Sequence, residues 1–231
     1  TARRDDYERG IGDRLTYVVS APECLNPWFL DDGLPVRVEG STPYPGIPIE
    51  IEITDFMDGY VAASVVRHVV DSELGSNINA LVSTGSDKLA DGRREVALEH
   101  FIRAAAVAET PADVIQTSTI ATIVACDQIL DQHGPKLAHD YSVAAGDSVD
   151  TGLGAHFDGL THVLEAARAI KRATDATEKV AATGHRVDGK KALEKSVEVL
   201  QDADIPAGYS DARPVFEIVD RIMESVADDI I

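Results

Sequence analysis

Between residues 47 and 53 the chain alternates without a break: Ile47, Ile49, Ile51 and Ile53 take every second position, with Pro48, Glu50 and Glu52 between them. Successive side chains of an extended strand point to opposite faces, so this pattern predicts a half-buried β-strand with one apolar and one acidic face. Val36-Arg37-Val38 repeats the alternation. The stretch Gly40-Ser41-Thr42-Pro43-Tyr44-Pro45-Gly46 between the two is turn chemistry, so a β-hairpin with a long tip is expected. Pro48 has no backbone N–H to donate and is expected at an edge or outside the paired run. Residues 15–20 are a further strand candidate. Pro22, Pro27, Pro35, Pro43, Pro45 and Pro48 all precede residue 54, which excludes helix over most of that segment.

From Thr54 onward the apolar spacing reads as helical. Thr54 or Asp55 can cap a helix carrying Val61, Val65, Val66, Val69 and Val70 to Leu74, with Gly75 as its stop. A second helix is expected over 91–109 through Val96, Phe101, Ile102 and Ala105. Thr110-Pro111-Ala112-Asp113 opens a third with an N-cap hydroxyl, a first-turn proline and an acid at the positive end of the dipole, and His133-Gly134-Pro135 closes it. Residues 142–155, rich in Gly, Ser and Asp, read as a loop. Beyond it, Leu160, Val163, Leu164, Ala167 and Ile170 mark one amphipathic helix and Leu193, Val197 and Leu200 another, separated at Gly184 to Gly189. The last segment, opening Pro214-Val215-Phe216-Glu217-Ile218-Val219, fits a short strand or the first turn of a helix. The expected fold is α+β and helix-dominated: an extended N-terminal arm and hairpin over 1–54, then a multi-helix body over 55–231, with 142–155 as a candidate internal boundary.

Charge changes this picture most. Forty acidic residues against 21 basic ones leave a net charge of −19, and the acids are spread along the whole chain. Such a coat repels itself in dilute buffer, a penalty that molar salt removes because the Debye length falls to roughly 3 Å at 1 M. A protein adapted to high salt, surrounded by solvent cations, is expected. A broad nucleic-acid surface is not expected, because counterion release needs clustered bases and the only doublets are Arg3-Arg4, Arg93-Arg94, Lys171-Arg172 and Lys190-Lys191. The two cysteines, Cys24 and Cys126, lack redox or metal spacing, which fits a reducing interior. No run approaches the roughly 20 apolar residues of a membrane span.

Candidate chemistry is sparse. Thr1 opens a charged stretch rather than a buried strand, which argues against an N-terminal nucleophile. No glycine pattern forms a phosphate cradle. No His-Glu-x-x-His or Glu-x-x-His spacing supports zinc or di-iron, although His162 and Glu165 share a helical face. His100, His133, His139, Asp140 and His156 are the residues a metal-dependent hydrolase would have to bring together.

Residues 183–229 run from Thr183-Gly184-His185 through an amphipathic helix into Leu200, Asp202, Ala203, Asp204, Ile205 and Pro206, then Pro214 to Val219, then a last helix. This segment, about a fifth of the chain, resembles the part of tailed-virus major capsid proteins in which a helix enters an L-x-[DE]-A-[ND]-[VI]-P turn, followed by a strand and another helix. The resemblance implies an N-terminal arm and long hairpin loop preceding a spine helix, with the arm bound to neighbouring subunits. Trp28, Phe29, Leu30, Tyr44, Ile47 and Ile49 are then the interface candidates. The leading expectation is a non-enzymatic subunit of a virion shell or other large homo-oligomer, with no cofactor, in a virion or in the cytoplasm of a high-salt organism. A cytoplasmic metal-dependent hydrolase and a small regulatory binding module are the alternatives.

Overall fold

All five strands precede Ser72 and all seven α-helices follow it in the computed structural model, counted over the residues it describes: 7–40, 42–146, 153–201, 203–205 and 207–230. The helix-dominated α+β fold with its strands gathered at the front is therefore as expected. The chain divides after Asp71 into two compact units, each with its own core.

In the first unit β1 (Arg14–Val18), β2 (Trp28–Asp31), β3 (Leu34–Glu39), β4 (Pro48–Phe56) and β5 (Val61–His68) form one sheet in the order β1-β4-β5-β3-β2. β4 is the strand the alternation predicts: Ile49, Ile51 and Ile53 are buried, and Glu50 and Glu52 take the other face. On that face Arg14 of β1 donates to Glu50 at 2.8 Å and to Glu52 at 3.2 Å, and Arg67 of β5 donates to Glu50 at 2.7 Å. These cross-strand pairs tie three adjacent strands together.

The neighbours of β4 correct the expected hairpin. β3 and β4 do not pair; β5 lies between them, parallel to β3 and antiparallel to β4. The helix expected from Asp55 through the valines is strand over residues 61–68. Val61, Ala62 and Ala63 are all buried, and a continuously apolar run cannot separate strand from helix by period alone. The signal that does is Asp58-Gly59, a turn in which Gly59 takes a φ of 90°. Asp32-Gly33 joins β2 to β3 with φ of 48° and 79°, the two-residue type I′ turn that matches strand twist. Pro48 sits at the first position of β4, where proline is tolerated.

Register shifts at Glu50/Ile51 and Ile53/Asp55 bend β4, and the sheet curls until its edge strands meet, Tyr17 of β1 stacking on Phe29 of β2 at 4.1 Å between ring centroids. Closing that gap gives the spatial order β4-β1-β2-β3 of a Greek key and, with β5, a partly open five-stranded barrel of OB type. Barrels of this type carry many functions, so the architecture assigns none.

The second unit consists of α1 (Ile78–Ala90), α2 (Arg94–Val107), α3 (Pro111–His133), α4 (Pro135–Ala145), α5 (Gly154–Asp175), α6 (Lys179–Leu200) and α7 (Arg213–Ile230). α1 was not expected, although Asn77 caps it by accepting from the Ala80 N–H at 3.0 Å. α3 begins as read, with the Thr110 hydroxyl accepting from the Asp113 N–H at 3.1 Å. α4 runs through Ala145, which removes the front of the expected 142–155 loop; 147–152 lie outside the described residues. The expected break at Gly184 to Gly189 is uninterrupted α6, in which a Cβ at Gly189 would stand only 3.2 Å from Ile170. That glycine serves close helix packing. Residues 214–219 are helix, with Val215, Phe216, Ile218, Val219, Ile222 and Val226 forming one buried stripe of α7.

Every residue of α3 from Thr119 to Ile129 is buried, Asp127 among them. Arg94 of α2 donates to this carboxylate at 2.6 Å and Arg221 of α7 at 2.5 Å. The Asp127 side chain is 4% exposed, against 28% for Arg94 and 55% for Arg221. Cys126 and Cys24 are buried thiols, and burial raises the pKa of both.

Two expected outcomes follow from this packing. Removing both guanidiniums (Arg94→Ala with Arg221→Ala) strands a buried charge and should cost about 3–5 kcal/mol in urea unfolding. Asp127→Ala leaves arginines that can rehydrate and should cost about 1–2 kcal/mol; equal losses would contradict this account. Gly85→Ala places a Cβ 2.8 Å from the buried Phe101 ring. Overpacking of about 1–3 kcal/mol should outweigh a helix-propensity gain of at most about 1 kcal/mol. The Gly85→Ala, Phe101→Leu double variant should lose less than the two single losses added.

Candidate functional site

The open side of the curled sheet is the most distinctive surface of the first unit. Among the described residues β1 pairs only with β4 and β2 only with β3, so each has one edge with no strand partner there. The Tyr17–Phe29 stack fills the inner side of this seam, its rings 17° from parallel. Further along, the segment before β1 is strapped to the end of β2: the Tyr7 hydroxyl donates to Asp31 at 2.8 Å and Arg9 donates to the same carboxylate at 2.7 Å. Burial and the Asp31 hydrogen bond both raise the Tyr7 pKa, so the phenol stays a donor. Side chains alternate across a strand, so the neighbours of the stacked rings face outward. These are Val18 on β1, 50% exposed, and Trp28 and Leu30 on β2, 50% and 64% exposed.

The six residues read as interface candidates therefore separate. Trp28 and Leu30 stand on the outer lip of the seam, and Phe29 is half-buried in the stack between them. Ile49 is fully buried on β4, while Ile47 and Tyr44 are buried just before it, the Tyr44 ring 4.8 Å from that of His68. Val18 and Tyr17 complete the seam and were not singled out. Their signal was present in the strand expected over 15–20, but their register against β2 has no trace in local sequence.

The five residues of the hydrolase alternative lie on four helices. His100 of α2 has Nδ1 2.8 Å from the Val96 carbonyl oxygen, and His133 ends α3. His139 and Asp140 share α4. Arg168 donates to His139 Nδ1 and to Asp140, each at 3.1 Å. Burial pushes the Asp140 pKa up, but Lys136 and Arg168 outweigh it and hold the carboxyl below its ordinary range. His156 of α5 packs on Phe216 with ring centroids 4.5 Å apart, and burial lowers its pKa. No three His, Cys, Asp or Glu side chains converge as metal ligands among the described residues. None of the helices, over the same residues, is long and apolar enough to cross a membrane.

Neither a protein-family model, nor a curated protein, nor a solved structure matches this chain. What the surfaces do must be read from their own chemistry.

His68, at the end of β5, carries a pH dependence into the sheet unit. Its Nε2 is buried without a hydrogen-bond partner, and burial lowers its pKa to about 4, against about 6.5 for a free side chain. The unfolded chain then binds more protons than the folded one between these values. Stability supplied by neutral His68 is complete above pH 6.5 and is lost as pH falls toward 4. Urea unfolding followed by Trp28 fluorescence should show a midpoint that drops between pH 7.5 and 5. His68→Phe should flatten that slope, and an unchanged slope would remove His68 as its source.

Proposed function

We propose that the protein is a non-enzymatic assembly subunit that associates with further copies of itself through the seam of its sheet unit, in a shell or other large homo-oligomer adapted to high salt. The observation that carries this reading is the exposure of Trp28, Leu30 and Val18 on the lips of two strands that each have an unpartnered edge. Edges are ordinarily blunted by charge, proline or cover. β2 presents an exposed tryptophan and leucine instead, and exposed apolar groups beside an edge that pairs with no strand among the described residues fit a protein partner better than solvent. Self-association is consistent with the charge: two chains of −19 repel in dilute buffer, and molar salt screens that repulsion while favouring apolar burial.

The support lies in this surface rather than in the capsid resemblance. Residues 214–219, which the resemblance casts as a strand, are helical, and the position of its spine helix is occupied by β4 and β5. A virion shell is one form such an assembly could take.

Light scattering in molar KCl should give a mass several times 24.7 kDa. Trp28→Ser with Leu30→Ser, both at exposed positions, should leave the circular dichroism unchanged and return the mass to that of one chain. A wild-type monomer in molar KCl would end the proposal, as would a double variant that assembles as before.

A further inference from the structure

One cleft breaks the acidic pattern of the helical unit. α4, α5 and α6 enclose about 420 Å³ lined by His139, Arg168, Arg172, His185, Lys191 and Lys195, with Glu165 and Asp188 as its acids. Four permanent cations thus face two carboxylates in a chain where acids outnumber bases by 40 to 21. Helical spacing produces the cluster: Arg168 and Arg172 stand one turn apart on α5, as do Lys191 and Lys195 on α6.

The neighbouring bases show that pairing was available. Lys171 reaches Asp175 at 3.0 Å and Lys190 reaches Glu194 at 3.9 Å, both away from the cleft lining. Arg172, Lys191 and Lys195, each adjacent or close to those residues, have no carboxylate within 4 Å among the described residues. Arg168 is differently held. Its NH1 donates to Asp140 and to His139 Nδ1, which fixes the guanidinium, while its buried Nε has no partner among the described residues. The cleft therefore offers one oriented guanidinium, a second without a carboxylate partner among the described residues, two ammonium groups and two imidazole rings.

We propose that this cleft binds a small multivalent anion of phosphate chemistry, a polyphosphate or a phosphorylated metabolite. Guanidinium forks and lysine point charges are the donors that recognise phosphoryl oxygens, and a volume of this size suits a small molecule. A long nucleic-acid backbone is disfavoured, because the chain as a whole carries a net charge of −19 and would repel a polyanion that extends beyond the cleft. The proposal is independent of self-association through the sheet seam.

The test uses inorganic tripolyphosphate as probe, in isothermal titration at the lowest KCl concentration that keeps the chain folded by circular dichroism. One-site saturable binding is expected. Arg172→Ala with Lys191→Ala should weaken it about tenfold or more, the loss of two charge-assisted contacts. Lys171→Ala with Lys190→Ala removes the same charge outside the cleft and should leave affinity within about twofold, since screened surface charges contribute little. The proposal is overturned by absence of saturable binding, by equal weakening in the two double variants, or by tighter binding of a single-stranded oligonucleotide than of tripolyphosphate.

Discussion

A single carboxylate inside the most buried helix constrains the whole helical unit. α3 manages its buried threonines locally: Thr117, Thr119 and Thr122 each donate to a carbonyl one turn back, at 2.6, 2.8 and 2.8 Å. Asp127 has no such recourse, since an ionised carboxylate only accepts and the nearby backbone donors are committed to the helix. It must be met from outside, and the two arginines that meet it come from α2 and α7, 33 and 94 residues away in sequence. Holding those helices against α3 also places Gly85 of α1 against Phe101 of α2. The Tyr209 hydroxyl, donating to Asp113 at 3.1 Å, ties the approach to α7 back to the start of the same helix.

The same scarcity of bases organises the surface. With 21 basic residues in the chain, each pairing is a choice of where acid is tolerated. On the sheet, Arg14 and Arg67 both serve Glu50, so the acidic face of β4 becomes a cross-strand lattice rather than a repulsive stripe. In the helical unit Lys136 and Arg168 converge on Asp140. Against this economy, an apolar seam and a cation-lined cleft are departures from the rule governing the remaining surface, and departures from local consistency are where function concentrates.

How much of this was legible depended on whether the signal was local. β4 and α3 could be read because alternation, a cap and a first-turn proline each act within a few residues. β5 was misread because Val61 to Val70 satisfies a helical template as well as a strand one, and the Asp58-Gly59 turn that decides between them lay inside the supposed helix. Gly189 suggested a break because sequence does not distinguish a glycine that ends a helix from one that lets a neighbour approach, and Gly184 has no such neighbour. The seam was half legible: Trp28, Phe29 and Leu30 stood out, but the stack on Tyr17 depends on a curl set by register shifts in another strand. The cleft was invisible for a different reason. Lys171-Arg172 and Lys190-Lys191 appeared as isolated doublets, and only the pairing of α5 with α6 turns one member of each toward a common space.

Salt separates the two surfaces physically. The proposed apolar burial at the seam would be strengthened by concentrated salt, and screening would remove the repulsion that opposes it. The proposed phosphate contacts in the cleft would lose their long-range attraction under the same conditions and keep only direct hydrogen bonds, so that a fixed guanidinium such as that of Arg168 would matter more there than bulk positive charge. A single salt titration therefore drives the surfaces in opposite directions. Association that grows with KCl while anion affinity declines identifies two independent sites, whereas parallel changes would mean that one charge effect underlies both.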